Sequence, residues 1–154
     1  MDELEHPALG LLKLHYEMGW IGRSDPGPDF FDLVIMFPSS VDAFDDPPLP
    51  TAEAFAALEH LMRDIDAIKA TAVNAVCAAR EARLNWRAGP VVEAWSIVEA
   101  RIDREGALWL GLHEYETDEY SRWLVRLSGR QPIQVRRTAA LEMRGDPSEE
   151  GLLV

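Results

Sequence analysis

Acidic and aromatic side chains are concentrated in residues 113–120, a short segment in the last third of the chain. Its carboxylates could bind Ca²⁺ or Mg²⁺, but calcium loops alternate their ligands and place a glycine at the bend, which this segment lacks. A solvated hairpin tip is one interpretation. The other is a partner-binding tip that enters a basic cleft, since tyrosine covers a large area at a small entropic cost. That tip would use Glu114, Tyr115, Glu116, Asp118, Glu119 and Tyr120.

No familiar catalytic motif is present in the sequence. It has no Gly-rich phosphate loop, no Gly-x-Ser-x-Gly elbow, and no paired-cysteine or His-Glu-x-x-His metal pattern. The four histidines are scattered, and His113 with its neighbouring carboxylates is the basis for an alternative hypothesis, a small enzyme or metal-dependent hydrolase. Cys77 is the only cysteine and lies among alanines and valines, which is typical of a buried apolar thiol. We therefore predict no catalytic residue, no metal and no cofactor.

Strand alternation assigns the side chains around this segment to two faces of a sheet. Leu108, Leu110 and Leu112 point one way and Trp109 the other. Trp109 lies among arginines, which allows two interpretations. It is a further binding residue, or it is covered by the C-terminal tail on an ordinary solvent face with Glu–Arg pairs between strands. We favour the ordinary face. The predicted inner face includes Val98, Ala100, Ile102, Trp123, Val125 and Leu127. The predicted outer face carries Glu99, Arg101, Trp109, Arg122, Arg126, Gln134 and Arg136.

The elements that position these residues follow from the apolar periodicity. Thr51 is a credible N-cap, and apolar residues at spacings of three and four continue from Phe55 to Leu84, which predicts two helices with a break at residues 64–66. Residues 96–102, 107–115, 121–127 and 132–137 predict an antiparallel meander, and residues 11–16, 20–22 and 31–37 predict earlier strands. The expectation is an α+β fold, with a helical pair on one face of an antiparallel sheet, in a single domain of residues 1–137. Residues 138–154 are expected to form an acidic, mobile tail.

The net charge of −12 restricts the partners that the chain can have. Nucleic acids and anionic membranes both attract basic surfaces, so neither is expected as a partner. A basic protein is compatible with this charge, because long-range attraction would draw it in. Residues 1–6 are acidic, unlike the start of a signal peptide, and no apolar run reaches the roughly 20 residues that span a bilayer, so we predict a cytoplasmic protein.

Several short motifs, in this order, resemble a group of small bacterial proteins that are mostly domains of unknown function. The motifs are residues 6–10 (HPALG), 20–22 (WIG), 49–53 (LPTAE), and a late strand 107–112 (ALWLGL) that runs into the acidic loop 114–119. The resemblance extends over most of residues 6–137. Some members are thought to be immunity proteins of bacterial toxin systems, so it implies that role here. At the acidic loop the chain departs from the group, which often has a tryptophan and a His-Gly pair where this chain has residues 117–121 (TDEYS).

Three functional hypotheses follow. The first, which we favour, is a binding protein that neutralises a basic toxin or effector by covering its active site. The second is the small enzyme that uses His113, and the third is a homo-oligomeric structural protein that associates through its sheet.

Overall fold

A computed structural model of the chain describes residues 2–24, 30–41, 46–87, 89–115, 118–139, 145–149 and 151–153. Within these residues nine strands form one sheet, whose spatial order is the order of the strands in the chain. Two helices, α1 (Ala52–Arg63) and α2 (Ile65–Leu84), separate the fourth strand from the fifth. The strands are β1 (Glu3–His6), β2 (Gly10–His15), β3 (Gly19–Arg23), β4 (Asp32–Met36), β5 (Trp95–Ile102), β6 (Leu108–Glu114), β7 (Asp118–Ser128), β8 (Gln131–Thr138) and β9 (Leu152–Leu153).

The predicted α+β class is confirmed, but the sheet contains one parallel pair and two further strands, β1 and β9, that were not predicted. Neighbouring strands are antiparallel except β4 and β5, which are parallel and pair from Asp32 with Glu99 to Ile35 with Ile102. A parallel pair requires a crossover that returns the chain to the end of the sheet from which it started. The two helices are that crossover, and α2 packs against β7 and β8. The sheet is therefore two antiparallel meanders joined through one parallel pair.

The helix boundaries follow the predicted signals. The Oγ1 atom of Thr51 accepts a hydrogen bond of 3.1 Å from the Ala54 amide, so Thr51 is the N-cap of α1. The predicted break is confirmed at Asp64, whose φ of −121° and ψ of 31° are not helical. Arg130, in the turn between β7 and β8, forms an ion pair with Asp64 and lowers the pKa of its carboxyl group. This contact ties the helix junction to the sheet.

The main core lies between the helices and one face of the sheet. The leucines of β6 and the set Trp123, Val125 and Leu127 of β7 all point into it, as strand alternation predicts. Trp20, Trp95 and Trp123 are each at most 2% exposed and contribute large apolar areas to this core. Cys77 is buried in the same core, and its burial raises the pKa of the thiol above its ordinary value.

The prediction that Val98 faces the main core is wrong. Ile97 pairs with Leu112, whereas Glu99 pairs with Gly111, so Val98 is an extra residue in a β-bulge. Ile97 therefore occupies the core position that simple alternation gives to Val98, and the alternation resumes correctly at Ala100.

Part of the segment after residue 137 contacts the sheet. Leu152 and Leu153 pair with Arg137 and Arg136 and form the edge strand β9. Pro147 is buried, and the carbonyl oxygen of Gly145 accepts a hydrogen bond from Arg101. Mobility of the remaining tail stays a prediction, whereas these two pieces lie against the strands.

Candidate binding surface at the β6–β7 hairpin

The hairpin formed by β6 and β7 is irregular near its tip. Leu112 pairs with Trp123, and the next pair toward the tip is Glu114 with Asp118. One residue of β6, His113, therefore lies opposite four residues of β7, 119–122. Such bulges redirect side chains and are common beside functional sites. Within this bulge Ser121 is buried, whereas Tyr120 is 72% exposed.

A buried ion pair fixes the base of the hairpin. Arg80 of α2 donates two hydrogen bonds to Glu114, one of 3.1 Å to Oε1 and one of 3.4 Å to Oε2. The side chains of Arg80 and Glu114 are 0% and 6% exposed, so water screens the pair little. The end of β6 is thus attached to the helix by a two-point contact between charged groups.

Three tryptophans surround the guanidinium group of Arg80. Its central carbon lies 4.0 Å from the ring centre of Trp86, 5.0 Å from that of Trp95 and 5.6 Å from that of Trp123. Indole faces attract cations most strongly when water is excluded. This aromatic cage therefore stabilises the charge of Arg80 from the sides that Glu114 does not contact.

A second arginine extends the same cluster toward the bulge. The guanidinium carbon of Arg137 lies 5.3 Å from the Trp123 ring centre and 5.9 Å from that of Trp86. Its Nε donates a hydrogen bond of 2.9 Å to the hydroxyl oxygen of Ser121. Since Ser121 follows Tyr120 directly, this bond holds the bulged segment against β8.

Two tyrosines project from this anchored base. Tyr115 is 57% exposed and packs edge-to-face on His113, with 4.6 Å between ring centres and an interplanar angle of 72°.

Two exposed aliphatic residues lie at the same end of the sheet as these tyrosines. Leu84 ends α2 and Val91 precedes β5. We call the surface at this end the tip surface, and it consists of Leu84, Val91, Tyr115 and Tyr120.

The structure separates the residues that the sequence grouped together. Tyr115 and Tyr120 are exposed, but Glu114 is not available to a partner because its carboxylate faces Arg80 inside the protein. Glu116 lies outside the described residues, as do the side chains of Asp118 and Glu119. The described part of the tip is therefore aromatic, and its acidic character remains a prediction from the sequence.

The interpretation of Trp109 as an exposed binding residue is wrong. Trp109 does lie on the face opposite the helices, but it is 0% exposed and packs with Leu124 in a second small core. Its indole N–H donates a hydrogen bond of 2.8 Å to Oδ2 of Asp103. Its cross-strand neighbour Arg101 contacts the segment at Gly145, which agrees with a tryptophan covered by the tail.

The rest of this face also differs from an ordinary solvent face. Arg101 forms two hydrogen bonds with Glu99, of 3.0 and 2.7 Å, and both side chains are buried. The sequence predicts Glu–Arg pairs between neighbouring strands on a solvent face, whereas this pair lies within one strand and out of contact with bulk water. The remaining members of the predicted face are half-buried, namely Arg122, Arg126, Gln134 and Arg136.

Sequence reasoning missed the importance of Arg80 and its tryptophans. Arg80 lies four residues after Val76 and three after Cys77, so it continues the buried stripe of the helix. An arginine on an apolar stripe requires a buried partner. The position of Arg80 on this stripe could therefore have identified it as a member of a buried ion pair.

Two observations concern the residues of the hydrolase hypothesis. His113 is buried, and the adjacent carboxylate of Glu114 is bound to Arg80. Among the described residues, no three or more His, Cys, Asp or Glu side chains are placed to hold a metal ion.

Comparisons with known proteins identify no family for this chain. No family model, no curated protein and no solved structure matches it. Within the described residues, none of the helices is long and apolar enough to cross a membrane.

Proposed function

We propose that this chain is a protein-binding inhibitor whose recognition element is the tip surface. The observation that carries the proposal is the pair of exposed tyrosines, Tyr115 and Tyr120, on a hairpin whose base is fixed by the buried Arg80–Glu114 pair. Tyrosine is enriched among residues that dominate binding energies. A rigid support reduces the entropy that such residues lose on binding, so the anchored hairpin favours recognition.

The charge of the chain supports a basic partner. A net charge of −12 accelerates the approach of a positively charged protein and repels acidic competitors. In its specific form, the proposal is a cytoplasmic bacterial immunity protein that neutralises a toxin or effector by covering its active site. That form rests on the sequence resemblance, the charge and the two exposed tyrosines together.

Comparative affinity capture tests the proposal. Tagged wild-type protein is incubated with lysate of the source organism beside two variants. The tip variant carries Tyr115→Ser and Tyr120→Ser. The control variant carries Tyr16→Ser and Ile133→Ser, which remove large side chains that are also more than half exposed, toward the opposite end of the sheet. Captured proteins are identified, purified and titrated calorimetrically against each variant.

The proposal predicts one basic partner, bound one-to-one by the wild-type and control proteins. Each tyrosine in a binding hot spot contributes about 2 kcal/mol, so the tip variant, which loses two of them, should bind about a thousandfold more weakly. The association rate should fall as salt rises. A partner that binds the tip variant with wild-type affinity would contradict the proposed surface. Capture of only the chain itself would favour a homo-oligomer instead.

A further inference from the structure

A cavity of about 340 Å³ lies where the parallel strands β4 and β5 end, away from the tip surface. Its walls come from the segment after β4, the start of α1 and the turn between β5 and β6. This volume falls within the range of small-molecule sites, roughly 300–1,000 Å³.

The topology of the sheet explains why a crevice forms there. The chain leaves β4 toward α1 on one face of the sheet, whereas it leaves β5 through a tight turn into the adjacent β6. The two connections diverge from neighbouring parallel strands. In sheets with parallel strands, ligands bind at such points, outside the carboxyl ends of the strands.

The interior of the cavity is apolar because its polar groups are already bonded within the protein. The indole N–H of Trp20 donates to the carbonyl oxygen of Pro48 at 2.9 Å. The carboxylate of Asp103 accepts three hydrogen bonds, from the amides of Glu105 and Ala107 and from Trp109. The remaining deep surface is formed by Ile35, Phe37, Ala54 and Ile102.

The rim, in contrast, offers polar groups to a ligand. The hydroxyl of Ser39 donates to Oε1 of Glu105 at 2.7 Å, and the Ser39 amide donates to the Arg104 carbonyl oxygen, so the two walls are tied together. Arg104 and Ser40 also line the cavity, and no hydrogen bond or ion pair of either side chain is found in the part of the chain that the structure describes.

From this arrangement we infer that the cavity binds a small molecule with a compact apolar body and one carboxylate group. The apolar body fills the interior against Trp20 and Phe37, and the carboxylate forms a bidentate contact with Arg104 at the rim. The whole chain carries a net charge of −12, so non-specific attraction cannot hold an anionic ligand. Binding of the carboxylate therefore requires the local positive charge of Arg104.

Three probes of the same shape test the inference, namely 3-phenylpropionate, 3-phenylpropan-1-ol and 3-phenylpropylammonium. Each is titrated into the isotopically labelled full chain and followed by NMR shifts of the Trp20 indole N–H and the Arg104 amide. The carboxylate is expected to bind about tenfold more tightly than the alcohol, the ratio that a charged hydrogen bond of about 1.4 kcal/mol supplies. The ammonium probe is expected to bind most weakly.

Two variants locate the site, and one provides a control. Arg104→Gln should bring the carboxylate down to the affinity of the alcohol, while the exposed Arg83→Gln on α2 removes the same charge elsewhere and should change nothing. Ser40→Trp should block all three probes at the mouth. The inference is wrong if no probe saturates, if the ammonium binds as tightly as the carboxylate, or if Arg104→Gln and Ser40→Trp leave the carboxylate affinity unchanged in folded protein.

Discussion

Replacing Glu114 by glutamine should destabilise the protein far more than the same change at a surface glutamate. The substitution preserves the shape of the side chain but leaves the charge of Arg80 inside the protein without its carboxylate. Removing one partner of a buried ion pair typically costs about 3–5 kcal/mol. Because the three tryptophans still surround Arg80, part of its charge remains stabilised, and we expect the lower end of that range, about 3 kcal/mol.

A double-mutant cycle isolates the contribution of the pair. Arg80→Met should cost about 4 kcal/mol, since it strands the Glu114 carboxylate and removes the cation from the aromatic cage. The double variant strands no charge at the site, so we expect it to cost less than Arg80→Met, about 3 kcal/mol. The coupling energy between the two positions is then about 4 kcal/mol. The matched control is Glu3→Gln, whose pair with Lys13 is exposed and whose loss should cost at most about 1 kcal/mol.

Equilibrium unfolding in urea, followed by tryptophan fluorescence, measures these differences. For a chain of this length, a loss of 3 kcal/mol also corresponds to a fall in Tm of about 6–12 °C. Two results would contradict this prediction: a cost of less than about 1 kcal/mol for Glu114→Gln, or costs of the two single substitutions that simply add in the double variant. Either result would mean that the ion pair does not hold the hairpin to α2.

Three further predictions concern other parts of the fold. Trp109→Phe should cost about 2–3 kcal/mol in urea unfolding, because it leaves a small cavity and a buried oxygen of Asp103 without its donor. Gly19→Ala should cost about 4 kcal/mol, seen as a large fall in Tm, since its φ is +152° and a Cβ atom would collide with the Ile35 carbonyl oxygen. The folded chain holds the Cys77 thiol protonated, whereas the unfolded chain releases its proton as pH rises through roughly 8 to 10, so stability should fall over that range. A Cys77→Ala variant should lose less stability in the same urea titrations.

Patterns that depend on local periodicity predicted much of the fold correctly. The helix pair, its break at Asp64 and the N-cap at Thr51 all follow from apolar spacing and capping chemistry. Two features depend on long-range pairing and were not predicted. The parallel pairing of β4 and β5 is decided by where the helices return the chain, and the bulge at Val98 shifts the alternation within one strand.

The candidate site was harder to predict because burial decides which charged residues are available. The sequence placed Glu114 on an acidic loop, and only the fold brings Arg80 of α2 beside it. Trp109 was assigned to the correct face, but its exposure depended on whether a segment more than 30 residues later lies over that face. Tyr115 and Tyr120 are exposed because they lie at a hairpin end, beyond the reach of the core.

Site-specific photocrosslinking in the source organism tests whether Tyr120 contacts a basic protein partner. A photoreactive phenylalanine analogue replaces Tyr120 in one strain, and Tyr16, which is also exposed, in a control strain. We expect the probe at position 120 to crosslink to a single basic protein and the probe at position 16 to crosslink to none. The same partner crosslinked at position 16 but not at position 120 would place the interface elsewhere and rule out the tip surface.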